Sequence, residues 1–150
     1  MTTPQTNKPS ALEQQFATFK VGNLLFGVDV HDVQEIIRYQ QLTPVPLAPE
    51  VVRGLMNLRG QIITAIDLRR RLAVNTATPE QELMNIVVSI EAEKVSLLVD
   101  SVGDVIKVSK DTFEETPPTV GGRIREIAKG VFKLPDGLML VLNTERAVTV

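Results

Sequence analysis

The sequence predicts a mainly β protein made of two similar lobes, each a small barrel, fused along a common hydrophobic core. Short apolar runs alternate with turn-forming residues along most of the chain, which is typical of β-hairpins. Hydrophobic residues make up 43% of the chain but aromatic residues only 4%, so the core must be mainly aliphatic. An internal repeat, described below, indicates two lobes. At 150 residues the chain can bury roughly 70% of its unfolded surface, so the fold needs no cofactor or disulfide.

The clearest element is a hairpin within the stretch from Val52 to Leu72. One apolar run leads into Arg59-Gly60 and a second leads out, and Gly60 supplies the permissive backbone of a short connection. After the second run, Asp67 can accept backbone N–H bonds and start a short helix, Leu68 to Leu72. Asp67 is therefore predicted to be a helix cap and not a catalyst.

Further hairpins and short helices are predicted wherever apolar alternation meets a turn or a capping residue. The hairpins are Phe16 to Val30 with a turn at Gly22-Asn23, Ile86 to Val99 with a turn at Glu91 to Lys94, and Val131 to Leu142 with a turn at Pro135 to Gly137. One short helix is predicted after its cap Asp29, with Val30, Val33 and Ile37 on one face, and a second from Glu50 to Arg53, which Gly54 ends. A helical turn is predicted from Ser109 to Phe113.

The internal repeat appears when the central stretch is shifted by 76 positions. Gly54 then meets Gly130, and the predicted cap Asp67 meets Asn143. With a shift of 69, Val33-Gln34-Glu35-Ile36 meets Val102-Gly103-Asp104-Val105. The polar connector Asn75 to Gln81 is interpreted as the boundary between the two lobes.

Composition and charge exclude several functional classes. The net charge is −2 and the only basic cluster, Arg69 to Arg71, is interpreted as a solvated helix face, so nucleic acid is not an expected partner. The absence of cysteine excludes disulfides and thiolate metal sites. No apolar run approaches the ~20 residues of a membrane span, and residues 1–15 resemble a disordered tail and not a signal peptide. These features predict a cytoplasmic protein without direct membrane insertion.

The sequence offers little for catalysis. His31 is the only histidine and lies beside Asp32 on a predicted surface turn, with no nucleophile motif in the chain. No calcium-loop, zinc or nucleotide-binding motif is present, so neither a cofactor nor a metal is expected. A small metal-dependent enzyme using Asp100, Asp104 and His31 is the alternative from another functional class. Binding of another protein is the favoured function.

Four segments together resemble the CheW family of chemotaxis coupling proteins, which join chemoreceptors to the histidine kinase CheA. They are R-G-L-M-N-L-R-G-Q-I-I-x-x-I-D-L-R at Arg53 to Arg69, F-G-V-D-V-x-x-V-Q-E-I at Phe26 to Ile36, V-D-S-V-G-D-V at Val99 to Val105, and G-L-M-L-V-L-N at Gly137 to Asn143. One departure is Thr64, where the family commonly has proline.

The resemblance implies two five-stranded, SH3-like β-barrels within residues 16–150. The first lobe is expected at about 16–75 and the second at about 80–142, with the C-terminal segment packing back. The implied function is that of a non-enzymatic adaptor, which couples chemoreceptors to CheA in bacterial chemotaxis. A related pathway, twitching motility or a second-messenger cascade, is the alternative in which the same scaffold couples other receptors.

The resemblance also implies where partners bind. The receptor's helical hairpin tip is expected to bind in the groove between the barrels. The regulatory domain of CheA is expected to bind the edge of the first barrel, from Tyr39 to Val45. Such contacts would allow rings or arrays to form. A turn-tip arginine is usually only solvated, but the match places Arg59 in the receptor site. The expected receptor-binding residues are Val33, Glu35, Gly54, Arg59 and Val105, and the expected kinase-binding residues are Tyr39, Leu42 and Val45.

Overall fold

The computed structural model describes residues 12–149, and this part of the chain holds ten strands and three short α-helices. The strands are β1 (Glu13–Val21), β2 (Leu24–Asp29), β3 (Val33–Arg38), β4 (Val52–Leu58), β5 (Gln61–Asp67), β6 (Met84–Ile90), β7 (Glu93–Val99), β8 (Ser101–Ser109), β9 (Ala128–Leu134) and β10 (Gly137–Leu142). The helices are α1 (Leu68–Leu72), α2 (Gly122–Ile127) and α3 (Thr144–Val148).

The strands form two five-stranded sheets. The terminal sheet has the order β8-β1-β2-β10-β9, and the middle sheet has the order β3-β6-β7-β5-β4. Pairing is antiparallel except for one parallel pair in each sheet, β2 with β10 and β5 with β7. The prediction of a mainly β protein is confirmed, and the two five-stranded units predicted as barrels are found as two five-stranded sheets.

The two sheets have the same internal order, as the repeat in the sequence indicates. A shift of 76 positions carries the β4–β5 hairpin onto the β9–β10 hairpin and α1 onto α3, and a shift of 69 carries β3 onto β8. Following these equivalences, β6 and β7 correspond to β1 and β2, which occupy the same places in the other sheet. The middle sheet thus uses five consecutive strands, β3 to β7. The terminal sheet combines the last three strands of the chain, β8 to β10, with the first two, β1 and β2.

The predicted lobe boundaries, about 16–75 and 80–142, are corrected by this strand pairing. The hairpin of β1 and β2 belongs with β8, β9 and β10, and β6 and β7 belong with β3, β4 and β5. Local sequence patterns identify hairpins but not the distant strands with which they pair, and here the pairing depends on contacts such as Phe26 with Leu140. The connector Asn75 to Gln81 therefore lies within the middle sheet's segment and does not separate the sheets.

A single large cluster of buried side chains joins the two sheets. It includes Phe19 and Phe26 from the terminal sheet and Ile86 and Leu97 from the middle sheet, all fully buried. Ala147 of α3 is also fully buried in this shared core, so this helix packs against it. Each sheet has a second, smaller cluster of its own. Because this cluster contains residues from both sheets, neither sheet has a complete core alone.

Each sheet is also tied across its two edges by one isolated bridge. In the middle sheet, Thr43 follows β3 and exchanges two backbone hydrogen bonds of 2.8 Å with Leu55 of β4. In the terminal sheet, Glu114 follows β8 and pairs with Val131 of β9 in the same way, at 2.9 and 2.8 Å. The chain that leaves one edge strand therefore returns to the opposite edge of the same sheet.

Three local predictions differ from the structure. The helix after Asp29 stops at Asp32, and Val33 begins β3, because backbone pairing with β6 overrides an apolar spacing that fits a helix. The predicted helix Glu50 to Arg53 is a turn, since β4 already starts at Val52. The tail predicted for residues 1–15 ends earlier, because Glu13 starts β1 and pairs with β8; residues 1–11 lie outside the described part.

Candidate functional site

Two edge strands, one from each sheet, place apolar side chains beside the shared core. Residues opposite each other in antiparallel strands project from the same face of the sheet. In β3, Val33 and Ile36 lie opposite Val88 and Ile86, and both of these partners belong to the shared core. In β8, Val102 and Val105 lie opposite Phe19 and Ala17, which belong to the same core. We name Val33, Ile36, Val102 and Val105 the edge quartet.

The edge quartet is partly open to solvent. Val33 and Val102 are half-buried and pack against the shared core, whereas Ile36 is 40% exposed and Val105 is 57% exposed. Each strand is the last of its sheet, so within residues 12–149 no further strand covers its outer edge. An apolar surface that continues a core outward is suited to contact with another protein. Sequence reasoning predicts Val33 and Val105 as site residues but misses Ile36 and Val102. The repeat could have indicated both, because it aligns Ile36 with Val105 and Val102 with Val33.

Glu35 and Arg59, two predicted site residues, meet in an ion pair. A bulge after Val33 turns Glu35 to the other face of β3, opposite Val87 in the middle sheet's own cluster. Arg59 lies in the β4–β5 turn with φ of 52°, and its Nη2 donates to Glu35 Oε2, a residue 24 positions away. The Arg59 side chain is 69% exposed against 26% for Glu35. Because a guanidinium has five N–H donors, Arg59 retains donors for a partner.

Gly54 is buried and lies under the segment predicted to bind the kinase. Its φ is +155°, and a Cβ atom there would lie 2.6 Å from the Thr43 carbonyl oxygen and 3.1 Å from Leu42 Cβ. Only glycine allows the backbone to come this close. The structure therefore places Gly54 in contact with Leu42 and Thr43 and gives it no exposed side chain with which to contact a receptor.

The segment from Tyr39 to Val45 is the first part of the connection between β3 and β4. Leu42 packs against the middle sheet's own cluster, and Val45 is 37% exposed. Tyr39 is half-buried, and its burial together with the negative charge of Glu80 raises its pKa above the ordinary value. Leu47, which sequence reasoning misses, is fully exposed with φ of +64°. In the sequence, an apolar residue between two prolines is the pattern that could have predicted this exposed side chain.

A buried carboxylate stabilises the middle sheet behind this segment. Asp67 is fully buried and caps α1 as predicted, accepting from the Arg69 backbone N–H at 2.9 Å. Its carboxylate also accepts from the guanidinium groups of Arg53 at 2.9 Å and Arg69 at 3.1 Å. Arg53 in turn forms an ion pair with Glu80, the partner of Tyr39. Burial alone would raise the pKa of Asp67, but these hydrogen bonds and the Arg69 charge bring it below its ordinary value of 3.8.

The same polar network continues to the terminal sheet. Arg69 Nη1 donates to Thr76 Oγ1 at 3.3 Å, and Thr76 Oγ1 donates to Asp100 Oδ1 at 2.9 Å. The other carboxylate oxygen of Asp100 accepts from the Gly22 backbone N–H at 2.6 Å, in the β1–β2 turn. Hydrogen bonds thus connect the cap of α1 to a turn of the other sheet.

The residues considered for a metal-dependent enzyme are not brought together. His31 Nδ1 lies 2.8 Å from Asp29 Oδ1, with its side chain 86% exposed. Both oxygens of Asp100 are engaged within the network, and Asp104 uses its backbone carbonyl to accept from Thr18. Residues 12–149 contain no group of three or more His, Asp or Glu side chains that could hold a metal. None of the helices in this range is long and apolar enough to cross a membrane.

Two five-stranded sheets of the same internal order, packed around one shared core, define a double-sheet β domain. The chain belongs to the CheW-like domain family, whose family model matches residues 15–150.

Relatives with assigned names support the same classification. The chain is 32% identical over 136 residues to the chemotaxis protein CheW of Treponema pallidum (strain Nichols), covering 88% of this chain and 80% of that protein. It is 34% identical over 129 residues to the chemotaxis protein CheW of Rhizobium meliloti (strain 1021), covering 86% and 83%. Among solved structures, the scaffolding protein TtCheW from Thermoanaerobacter tengcongensis is similar with a TM-score of 0.79 and 29% identity, covering 86% of this chain and 88% of that one.

Proposed function

We propose that this protein is a non-enzymatic cytoplasmic adaptor that couples chemoreceptors to the histidine kinase CheA. The observation that carries the proposal is the edge quartet, four apolar side chains from two equivalent edge strands that border one core. The exposed Arg59 pairs with Glu35 on the other face of one of these strands. The names of the relatives, chemotaxis protein CheW and scaffolding protein, support the same role.

In this proposal the helical hairpin tip of a receptor binds in the groove between the two sheets. An amphipathic helix that lies in a groove obtains its affinity from apolar contacts and its register from polar ones. Val33, Ile36, Val102 and Val105 provide the apolar floor. Arg59, held by Glu35 but largely exposed, provides a charged anchor at one side, a role in which arginine is enriched. Gly54 contributes indirectly by letting the chain after β3 lie close to β4.

The regulatory domain of CheA is proposed to bind the segment from Tyr39 to Val45. Val45 offers exposed apolar surface, and the neighbouring Leu47 extends it. Tyr39 and Leu42 are more buried and hold the segment against the sheet. The prolines at 44, 46 and 49 lack backbone donors, which limits unspecific strand addition there. Because receptor and kinase then use different surfaces, both can bind at once, and linking many such contacts into rings or arrays raises the effective affinity.

Replacing Arg59 by alanine tests the receptor site. We expect the affinity for a peptide spanning a receptor hairpin tip to fall at least about tenfold, a typical loss for an interface anchor. The free energy of unfolding is expected to change by less than about 1 kcal/mol, because the Arg59–Glu35 pair is largely solvated. Isothermal titration calorimetry measures the first quantity and urea unfolding the second.

Arg146→Ala is the matched control, since Arg146 is an exposed arginine on α3. Its binding to the receptor tip should equal that of the wild type. Normal affinity of a folded Arg59→Ala protein would remove Arg59 from the site.

A further inference from the structure

Four arginines from three separate parts of the chain line one pocket. The run Arg69 to Arg71, predicted to be a solvated helix face, is divided by the structure between two environments. Arg71 turns to Glu126, with Nη1 3.2 Å from the carboxylate. Arg69 and Arg70 line a pocket of about 390 Å³ together with Arg53 of β4 and Arg123 of α2. We name Arg53, Arg69, Arg70 and Arg123 the arginine pocket.

Positive charge exceeds negative charge in this pocket. Two acidic residues, Asp67 and Glu50, line it alongside the four guanidinium groups. The Asp67 carboxylate is already saturated by Arg53 and Arg69, whose side chains are each only 16% exposed. The arginine run is therefore not simply a solvated face, and part of the pocket's charge is built into the fold.

The two outer arginines have donors to spare. Arg70 Nη1 donates to the Glu50 backbone carbonyl at 2.9 Å, which is a neutral acceptor, and its Nε lies 3.9 Å from Asp67. The Arg123 side chain is exposed and makes no ion pair or hydrogen bond with any other residue of the described range 12–149. The pocket thus combines two arginines fixed by Asp67 with two whose N–H groups remain available to an anion.

We propose that the arginine pocket binds a small phosphorylated anion, with inorganic pyrophosphate as its simplest representative. Guanidinium groups match the geometry of phosphate oxygens and bind them through paired, charge-assisted hydrogen bonds. Asn75 and the Thr76 hydroxyl add polar groups to the wall, while the apolar part of the lining is limited to Ala73 and Val74. This lining favours a compact, highly charged ligand over one that needs an apolar or stacking surface.

This site is independent of the proposed adaptor function. None of its four arginines belongs to the edge quartet or to the segment from Tyr39 to Val45. A failure to bind pyrophosphate would therefore leave the receptor and kinase sites untouched, and a failure of receptor binding would not affect the arginine pocket.

Calorimetric titration of the full chain with pyrophosphate, in a phosphate-free buffer at constant ionic strength, tests the proposal. We expect saturable binding with one site per chain. Arg70→Gln and Arg123→Gln should each weaken it at least about tenfold, because each removes a charge-assisted contact. Backbone amide NMR signals of Ala73 to Thr76 should shift during the titration.

Arg38→Gln provides the control, since Arg38 is an exposed arginine at the end of β3 and outside the pocket. It should bind pyrophosphate like the wild type. The proposal is overturned if the wild type shows no saturable binding, or if Arg38→Gln weakens binding as much as Arg123→Gln. Two separate pocket variants keep the test decisive should one of them fold poorly.

Discussion

A variant carrying both Ile36→Glu and Val105→Glu is expected to lose binding to a receptor hairpin tip, with the affinity reduced at least about a hundredfold. Ile36 is 40% exposed and Val105 is 57% exposed in the free protein, so glutamate at either position stays hydrated and the fold tolerates it. In the complex both carboxylates would be buried against an apolar helix face without a partner. Burial of an unpaired charge of this kind costs several kcal/mol.

The equivalence of the two positions makes the double variant informative. Ile36 and Val105 correspond under the internal repeat, one on each edge strand, so each single variant should weaken binding through its own side of the groove. Leu138→Glu is the matched control because Leu138 is also 40% exposed but lies on β10, an internal strand of the terminal sheet. Binding of the kinase regulatory domain should be unchanged in all of these proteins. A double variant that still binds the receptor tip with normal affinity would contradict the groove.

Asp67→Asn is expected to lower the free energy of unfolding by about 3–5 kcal/mol, the usual consequence of breaking a buried ion pair. The substitution removes the charge that Arg53 and Arg69 share, and both side chains are only 16% exposed. The neutral amide still offers one oxygen as a helix cap, so most of the loss comes from the Arg69 guanidinium, which loses its charged partner, while Arg53 keeps only its ion pair with Glu80. Urea unfolding at pH 7 measures the difference.

Asp29→Asn is the control for Asp67→Asn. Asp29 also caps a turn by accepting from a backbone N–H, that of His31 at 2.9 Å, but its side chain is 28% exposed and its partner His31 is 86% exposed. Because asparagine caps about as well as aspartate, this substitution should lower the free energy of unfolding by less than about 1 kcal/mol. Equal destabilisation by the two substitutions would mean that the buried charges around Asp67 do not account for the effect.

The pH dependence of stability should identify the same carboxylate. The pKa of Asp67 in the folded protein lies below its ordinary value of 3.8, so the folded state binds its proton less readily than the unfolded state. The stabilisation is therefore fully present above about pH 4 and is lost as the pH falls through the folded pKa. In Asp67→Asn this part of the acid dependence should disappear. An unchanged acid profile would show that Asp67 does not titrate with folding.

Much of the local structure is predictable because it depends on neighbouring residues. The central hairpin, the cap at Asp67 and the turn at Gly22-Asn23 each follow from a short pattern, and all three are confirmed. The repeat is visible because β4–β5 and β9–β10 keep the same apolar spacing and the same capping position. Such features require no knowledge of distant contacts.

The parts that sequence reasoning misses depend on distant pairing. Val30, Val33 and Ile37 fit the spacing of a helix, and only pairing with β6 makes Val33 to Arg38 a strand. The assignment of β1 and β2 to the terminal sheet follows from hydrogen bonds to β8 and β10, which no local pattern encodes. The arginine run suggests a solvated face because no sequence pattern places Glu126 and the Glu50 carbonyl beside it.

For the predicted site residues too, the sequence indicates which residues matter but not how distant strands arrange them. The resemblance to CheW proteins indicates Val33 and Val105, and the structure places both on the shared-core face of their edge strands. It also indicates Glu35 and Arg59, which are joined by an ion pair that their separation in sequence conceals. The direction of Ile36 becomes known only from its pairing register with Ile86.

Methyl NMR of the isotopically labelled protein, titrated with an unlabelled receptor hairpin tip, tests the central claim most directly. We expect the largest chemical-shift changes at the methyl groups of the edge quartet, Val33, Ile36, Val102 and Val105, on both edge strands together. The exposed methyl groups of Val45 and Leu47 should shift with the kinase regulatory domain instead. Receptor-induced changes confined to Val45 and Leu47, with the edge quartet unmoved, would contradict a groove between the two sheets.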